Sequence, residues 1–351
     1  MNHSKFIHKC IELAQQGLGH TYPNPLVGSM IVYNNKVISS GWHQKAGEAH
    51  AEVHAIRSVA DPSLLPLSTL YVNLEPCSHH GKTPPCTDLI IESGIRHVVV
   101  GMLDPFAKVN GKGIQQLRNA GIRVEVGVAE KACQTLNKRF LTAIQKKRPY
   151  ITLKWAQTKD GYIAPKQKKA SRPVWISNAQ SRTLAHQWRA EEQSILVGNQ
   201  TVIDDNPALT TRRYEGPSPT RILIDPNEKI QRTAKLFAPN QNVIVYTNKR
   251  SRVDKHIHYV AIDFSQHGLP QILSDLHHKN IQSILVEGGT KTLQYFLDAG
   301  LWDEAKIIIG QLTFGEGTSA PDLTSISSKK VSQKPLDGDL VQQWVNPAEH
   351  P

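Results

Sequence analysis

The chain has 351 residues, 39% of them hydrophobic and 20% charged, with a formal net charge of +11. A mean hydropathy of -0.38 and the absence of an apolar run of bilayer length exclude a membrane-spanning helix, and the length favours two domains over one. The cationic surplus is spread, 14 basic against 10 acidic residues over 1–145 and 27 against 20 over the rest, and no basic stripe interleaved with aromatics marks a nucleic-acid groove, so an anionic small molecule such as a phosphate ester accounts for it as well as a polymer does.

The pattern predicts an amphipathic helix over residues 4–16, stopped by Gly17 and Gly19. That N-terminus carries Glu12 and Gln15 where a secretory segment would be apolar, so the expected compartment is cytoplasmic. A turn-rich stretch, 22–28, feeds a strand over 29–33, which Asn34-Asn35 folds back into a second strand over 37–42. A helix over 49–60 would hold His50 in its first turn with Glu52 beside it. A strand over 69–74 runs into Glu75-Pro76-Cys77, and Cys86 opens a helix over 86–93. Then follow a strand over 97–101, a loop through Asp104 and Pro105, a helix over 113–120, a strand over 123–127 and a helix over 129–145. The expected product is a three-layer α/β/α domain over residues 1–145, closed by the basic joint Lys146-Lys147-Arg148-Pro149.

Within this half, His50, Cys77 and Cys86 offer an imidazole and two thiolates, three ligands for a zinc ion whose fourth position stays open for water. Structural zinc sites are closed by a fourth Cys or His, and the obvious spares, His79 and His80, lie inside the loop between the cysteines. Glu52, two residues from the histidine, can shuttle protons without ligating the metal. His-x-Glu followed by Pro-Cys-x-x-Cys is the arrangement of zinc-dependent base deaminases, here with the second spacing lengthened to eight intervening residues. Cys10 and Cys133 fall in helical patterns and read as reduced, buried thiols.

From residue 146 to 351 the alternation restarts: strand 150–156, helix 178–191, strands 194–198, 221–225, 243–247 and 258–262, helix 270–279, strand 283–287, helix 290–299 and strand 304–310. This implies a largely parallel, doubly wound sheet. Val286-Glu287-Gly288-Gly289-Thr290 carries a strand into a helix through two glycines, which would let backbone N–H groups approach a phosphate. The run from Thr201 to Arg212 clusters polar residues after a strand, where ligands tend to sit. Residues 314–335 read as surface loop, Lys166, Lys168 and Lys169 as a solvated loop, and 342–345 as an edge strand.

Asn24-Pro25-Leu26-Val27-Gly28, Gly47-Glu48-Ala49-His50-Ala51-Glu52-Val53-His54-Ala55 and the stretch from Leu74 through Cys77-Ser78-His79-His80-Gly81-Lys82-Thr83-Pro84-Pro85 to Cys86 resemble the cytidine-deaminase-like domain of the bifunctional riboflavin-biosynthesis deaminase/reductase family. Lys154, Asp160-Gly161, Trp175-Ile176, Arg189-Ala190-Glu191, the Thr201 to Arg212 run and Val286-Glu287-Gly288-Gly289 resemble its reductase domain, which has a dihydrofolate-reductase-like α/β fold. The resemblance implies hydrolytic deamination of 2,5-diamino-6-ribosylamino-4(3H)-pyrimidinone 5′-phosphate at zinc, then NADPH-dependent reduction of the ribosyl unit to ribityl. It implies zinc on His50, Cys77 and Cys86, Glu52 as proton shuttle, and deaminase substrate contacts from Asn24, His43 and Lys82. It further implies NADP contacts from Ala156, Trp175, Thr201, Asp205 and the turn Gly289, Thr290, Lys291, Thr292 and Leu293, and reductase substrate contacts from Arg189, Leu209, Arg212 and Glu287. Two positions depart from the family pattern, since Pro173 and Pro226 each stand where the family has a Ser. The expected partners are a phosphorylated pyrimidine and further copies of the chain, with neither nucleic acid nor membrane. The alternative is a single-activity zinc base or nucleoside deaminase, tRNA-type included, carrying a non-catalytic second domain.

Overall fold

The structure, a computed structural model, describes residues 2–78, 84–106, 110–167, 174–239 and 242–349, and separates into two compact units, Met1–Lys147 and Arg148–Pro351. In the described residues of the first unit the elements are α1 (His3–Ala14), β1 (Gly28–Tyr33), β2 (Lys36–Trp42), α2 (Ala51–Arg57), β3 (Thr69–Leu74), α3 (Cys86–Glu92), β4 (His97–Met102), α4 (Lys112–Asn119), β5 (Arg123–Val126), α5 (Glu130–Leu136) and α6 (Lys138–Gln145). The sheet order is β2-β1-β3-β4-β5, with β3, β4 and β5 parallel and β1 antiparallel to both neighbours. Asn34 and Asn35 both take positive φ, 47° and 61°, the geometry of a two-residue hairpin turn that asparagine tolerates.

Side chains alternate across this sheet as the pleat requires. Ile31, Val72, Val98 and Val100 pack on one face against Ala55 and Ile56 of α2, Ile90 of α3 and Leu117 of α4. Met30, Tyr71 and Val99 pack on the other against Phe6, Ile7 and Cys10 of α1 and Cys133 of α5. Two expectations need correction. The helix predicted over 129–145 is broken at Asn137, whose buried amide accepts the Leu26 N–H (2.8 Å) and donates to the Leu26 carbonyl (3.0 Å). The helix predicted over 49–60 begins only at Ala51, so His50 is the extended residue before it and not part of its first turn.

In the second unit the described elements are β6 (Tyr150–Gln157), β7 (Tyr162–Pro165), α7 (Ala179–Glu191), β8 (Ser194–Gly198), α8 (Asn199–Asp205), β9 (Thr220–Ile224), β10 (Val243–Thr247), β11 (Arg252–Asp254), β12 (Ile257–Ala261), α9 (Gly268–His278), β13 (Ser283–Val286), α10 (Thr290–Asp298), β14 (Glu304–Ile309), β15 (Gly317–Ser319), β16 (Lys329–Leu336) and β17 (Asp339–Val345). Among the described residues they form a ten-stranded sheet of order β11-β12-β10-β9-β8-β13-β6-β14-β17-β16 and a separate β7–β15 pair. From β12 to β14 every pairing is parallel. One face buries Leu153, Ile222, Ile244 and Ile284 under α9 and α10, the other Ile195, Val197, Leu223 and Val245 against Ala185 and Trp188 of α7 and Val202 of α8.

The C-terminal segment departs from expectation. Residues 314–335 hold β15 and β16, and 342–345 belongs to β17, an interior strand between β14 and β16. Lys329 to Leu336 exposes most of its side chains, and the β16–β17 pair is laced by Ser332–Gln343 and Gln333–Gln342 hydrogen bonds of 3.0 Å, so β16 shows none of the apolar alternation that marks a strand in sequence. Of the Lys166, Lys168 and Lys169 cluster, the last two lie outside the described residues, and Lys166 pairs with Glu316 at 2.8 Å.

Asn137 makes a specific stability claim. Asn137→Ala leaves the Leu26 N–H buried without its partner and is expected to lower the unfolding free energy of the first unit by about 2–3 kcal/mol, read by denaturant titration; a change within experimental error would show that the break at Asn137 has another cause.

Candidate active sites

Three elements converge on the first site. The C-terminal end of β3 delivers Cys77 through Glu75-Pro76, α3 begins with Cys86, and His50 precedes α2. His50 Nδ1 lies 3.3 Å from Cys86 Sγ and 3.5 Å from Cys77 Sγ, and all three ligand atoms fall within 4.8 Å of one another. A tetrahedral zinc with ordinary Zn–N and Zn–S bonds places N and S about 3.5 Å apart, so the donor set has the spacing the ion requires. Among the described residues no fourth His, Cys, Asp or Glu joins this group, and all four cysteines are free thiols. His79, His80 and Lys82 lie outside the described residues.

The Cys77 thiol is drawn below its ordinary pKa, chiefly by the hydrogen bond from the Cys86 thiol, with His50 and the Cys86 N–H (3.3 Å) adding to it. Glu52 is 3% exposed, and burial pushes its carboxyl up to about 7 against the smaller opposing pull of His50. Such a carboxyl gains and loses a proton near neutrality. His43 stands edge-on to His50 with ring centroids 5.4 Å apart; its Nδ1–H donates to the Ala49 carbonyl (3.1 Å) and its Nε2 accepts from the Asn24 amide (3.0 Å). Burial first, with the neighbouring histidines, lowers the His43 pKa, so this wall of the site is a neutral imidazole. Two residues beyond Asn24, the Leu26 backbone is clamped by Asn137 and by Asn73, whose amide also accepts the Gly28 N–H (2.7 Å).

Sequence reasoning missed Glu75. Its buried carboxylate accepts backbone N–H groups from Gly111 (2.9 Å), Gly113 (3.0 Å), Asp104 (3.2 Å) and Ile114 (3.3 Å), locking the loop after β4 and the first turn of α4 against the strand end that carries Cys77. A Cβ on Gly113 would meet the Pro76 carbonyl oxygen at 2.3 Å. From the same helix, the Gln116 side chain accepts from Thr87 (3.0 Å) and donates to Asp88 (2.7 Å), directly after Cys86. No local signal announces these bonds, whose partners are 28 to 39 residues apart.

The second site is built on the C-terminal ends of the parallel strands, where α/β folds place ligands. Arg189 of α7 grips Glu287, at the end of β13, through two bonds of 2.8 and 2.7 Å, and spends a third donor on the Thr210 carbonyl (3.2 Å). Lys154 of β6 approaches the same carboxylate at 3.5 Å. Burial alone would push the Glu287 carboxyl up; the Arg189 guanidinium first and the Lys154 ammonium second reverse this and hold it at about 2. The structure also joins Thr201 to Gly289, whose N–H donates to the threonine hydroxyl at 3.0 Å. Thr290 opens α10, its hydroxyl donating to the Ser319 carbonyl; Lys291 is exposed and Thr292 half-buried.

Other expected positions are more varied. Leu209 and Leu293 are core residues, 2% and 0% exposed, so a ligand can meet them through their backbone atoms alone. Asp205 ends α8, and Ala156 lies half-buried near the end of β6. Trp175 is 54% exposed with the Arg182 guanidinium 5.0 Å over its ring. The Arg212 N–H donates to His186 Nδ1 at 3.2 Å, and His186 is another residue that sequence reasoning missed. Pro173 lies outside the described residues, while the Pro226 carbonyl accepts from Asn248 N–H (3.0 Å) and the Thr247 hydroxyl (3.2 Å).

Residues 1–102 match the cytidine and deoxycytidylate deaminase zinc-binding region, and residues 149–341 match the RibD C-terminal domain. The chain belongs to the RibD family of riboflavin-biosynthesis proteins. It is 40% identical to the riboflavin biosynthesis protein RibD of Aquifex aeolicus over 347 residues, 96% of each chain, and 33% identical to that of Escherichia coli over 333 residues, 90% of this chain and 89% of the other. Its fold is similar to the crystal structure of a diaminohydroxyphosphoribosylaminopyrimidine deaminase/5-amino-6-(5-phosphoribosylamino)uracil reductase from Thermotoga maritima, with a TM-score of 0.88, 37% identity and 98% of each chain covered. It is also similar to RibD of Acinetobacter baumannii, with a TM-score of 0.87, 31% identity and 98% of each chain covered. In this family the deaminase and reductase domains are both enzymatic, which sets aside the single-activity alternative.

The Arg189–Glu287–Lys154 group carries a pH signature. A carboxyl at about 2 in the fold and 4.5 in its ordinary state adds stability that is complete above pH 4.5 and is lost as pH falls from 4.5 toward 2. The difference in unfolding free energy between wild type and Glu287→Gln should therefore shrink by about 3 kcal/mol between about pH 5 and pH 2. Denaturant titrations at both pH values check this, and a difference that stays constant would detach Glu287 from the ionisation.

Proposed function

We propose that the chain catalyses two consecutive steps of riboflavin biosynthesis. The first unit hydrolyses the amino group from 2,5-diamino-6-ribosylamino-4(3H)-pyrimidinone 5′-phosphate, and the second reduces the ribosyl side chain of the product to ribityl with NADPH. The observation that carries this reading is the pairing, in one chain, of a three-ligand metal cluster beside a buried Glu52 with a Gly-Gly turn and buried Arg–Glu pair at parallel strand ends.

His50, Cys77 and Cys86 would hold the zinc, which when bound lowers the pKa of a coordinated water toward neutrality. Glu52, protonatable near pH 7 and shielded from solvent, takes a proton from the attacking water and returns it to the departing amino group. Asn24 and His43 hold one another in fixed orientation and present an amide and a neutral imidazole to the pyrimidine; Lys82 is assigned to its phosphate on the resemblance alone. In the second unit Thr201, Asp205, Trp175, Ala156 and the turn from Gly289 to Leu293 are the proposed NADPH contacts. NADPH supplies the hydride, and the work of the protein is to position two reactants. Arg189, Leu209, Arg212 and Glu287 are the proposed contacts to the ribosyl substrate, with Arg212 facing its phosphate as a multi-donor cation. The partner is thus a phosphorylated pyrimidine, without nucleic acid or membrane, and free cysteine ligands suit a reducing cytoplasm.

Two substitutions test the halves separately. Glu52→Gln should retain about one zinc per chain while ammonia release falls by roughly 10²- to 10⁴-fold; undiminished ammonia release would remove Glu52 from the chemistry. Gly289 has room for a side chain within the fold, since a Cβ there meets nothing nearer than Thr201 Oγ1 at 3.6 Å. Gly289→Val is expected to abolish NADPH oxidation by blocking close approach of the cofactor phosphate while ammonia release continues, with both rates measured on one preparation. Full retention of NADPH oxidation would put the cofactor elsewhere.

A further inference from the structure

The segment that carries Arg212 is held from behind by one helix. It leaves α8 through Asn206, turns at Leu209, which takes φ 56°, and returns past Thr210 and Thr211 to Arg212 and Arg213. Three residues apart on α7, and so on one face of it, Arg189 donates to the Thr210 carbonyl at 3.2 Å and His186 Nδ1 accepts the Arg212 N–H at 3.2 Å. The Thr211 N–H is taken by the Ser218 hydroxyl at 2.9 Å. Three successive backbone groups are thus fixed while the side chains of Arg212 and Arg213 remain exposed.

We propose that His186 is a positioning residue of the reductase site, which as a neutral imidazole fixes the Arg212 backbone and thereby aims the Arg212 guanidinium at the substrate's phosphate. This rests on the assignment of Arg212 to that phosphate under the proposed function. The bond defines the tautomer: Nδ1 can accept an N–H only if the ring proton sits on Nε2. The imidazole is 5% exposed and faces Arg189 from its own helix, Arg212 and Arg213 from the following segment and Glu287 from the end of β13. Burial first, then the charges of Arg189 and Arg212, hold it at about 4, so it is neutral at neutral pH. Three arginines around a single carboxylate, itself committed to Arg189 and Lys154, leave net positive charge at this point of the site, which is what a phosphate ester would neutralise. A protonated or apolar residue at 186 could not accept the Arg212 N–H, and the guanidinium would lose its fixed origin.

The test uses full-length protein and NADPH-dependent reduction of 5-amino-6-ribosylaminouracil 5′-phosphate and of its dephosphorylated form. His186→Leu and His186→Phe are expected to raise KM for the phosphorylated substrate about tenfold, with kcat and the KM for NADPH close to wild type, and to erode the preference for the phosphorylated form. His186→Asn, whose Oδ1 can accept the same N–H, is expected to restore most of that KM. Arg212→Ala should abolish the preference outright. If Arg212→Ala keeps the preference, the phosphate assignment fails and this inference with it. If Arg212→Ala loses it while all three His186 variants match wild type, the phosphate assignment stands and the role of His186 is overturned. If neither Leu nor Phe variant retains NADPH binding, His186 serves the fold alone, and the positioning role is likewise overturned.

Discussion

A carboxylate taken out of water must be protonated, paired with a cation or surrounded by donors, because the cost of leaving it bare exceeds the stability of a domain. Three glutamates in this chain meet that constraint in three ways, and each way corresponds to a different task. Glu52 has no cation lodged against it strong enough to offset its burial, so its pKa climbs to about 7, which suits it to the proposed carriage of protons. Glu287 is clamped by Arg189 and Lys154 and stays ionised down to about pH 2, which makes it a fixed charge. Glu75 is satisfied by four backbone N–H groups and fixes the shape of the loop and helix behind the cysteine ligands.

These solutions depend on where the parallel strands end. β3 ends one residue before Glu75, β13 one residue before Glu287, and each strand is followed by a helix, α3 and α10. The chain therefore repeats one architectural device in each unit with unlike chemistry on top of it. A donor set of one imidazole and two thiolates suits a Lewis acid, while a Gly-Gly turn at a helix start suits a phosphate.

How much of this could be read in the sequence follows from how far apart the interacting residues lie. β3, β8 and β10 were legible to the residue because fully buried strands of β-branched and aliphatic residues are bounded by polar turns. The cluster of His50, Cys77 and Cys86 was legible because an imidazole, a carboxylate two residues on and a Pro-Cys pair form a chemical pattern, not only a structural one. The break at Asn137 was not, since its partner Leu26 is 111 residues away and the flanking sequence is helical on both sides. Glu75 and His186 were overlooked for the same reason: each acts on backbone N–H groups, which carry no sequence identity of their own. Of the β16–β17 hairpin only the end of β17 was legible, because β16 exposes most of its side chains and bonds to its partner through Ser and Gln.

The two adjacent glycines of the reductase turn show how the structure separates a fold requirement from a functional one. A Cβ on Gly288 would come within 2.7 Å of Thr292 Cβ, so glycine there is explained by the packing of the turn on its own helix. Gly289 is different: its φ of -67° is open to any residue, and a Cβ would rest in ordinary contact with Thr201 Oγ1 at 3.6 Å. Neither backbone strain nor internal crowding calls for glycine at that position. What remains is the space outside the chain, in front of an N–H that already holds Thr201 and beside the first turn of α10. Under the proposed function, a glycine that the fold does not need, placed at the start of α10, serves a ligand that must come close to the backbone.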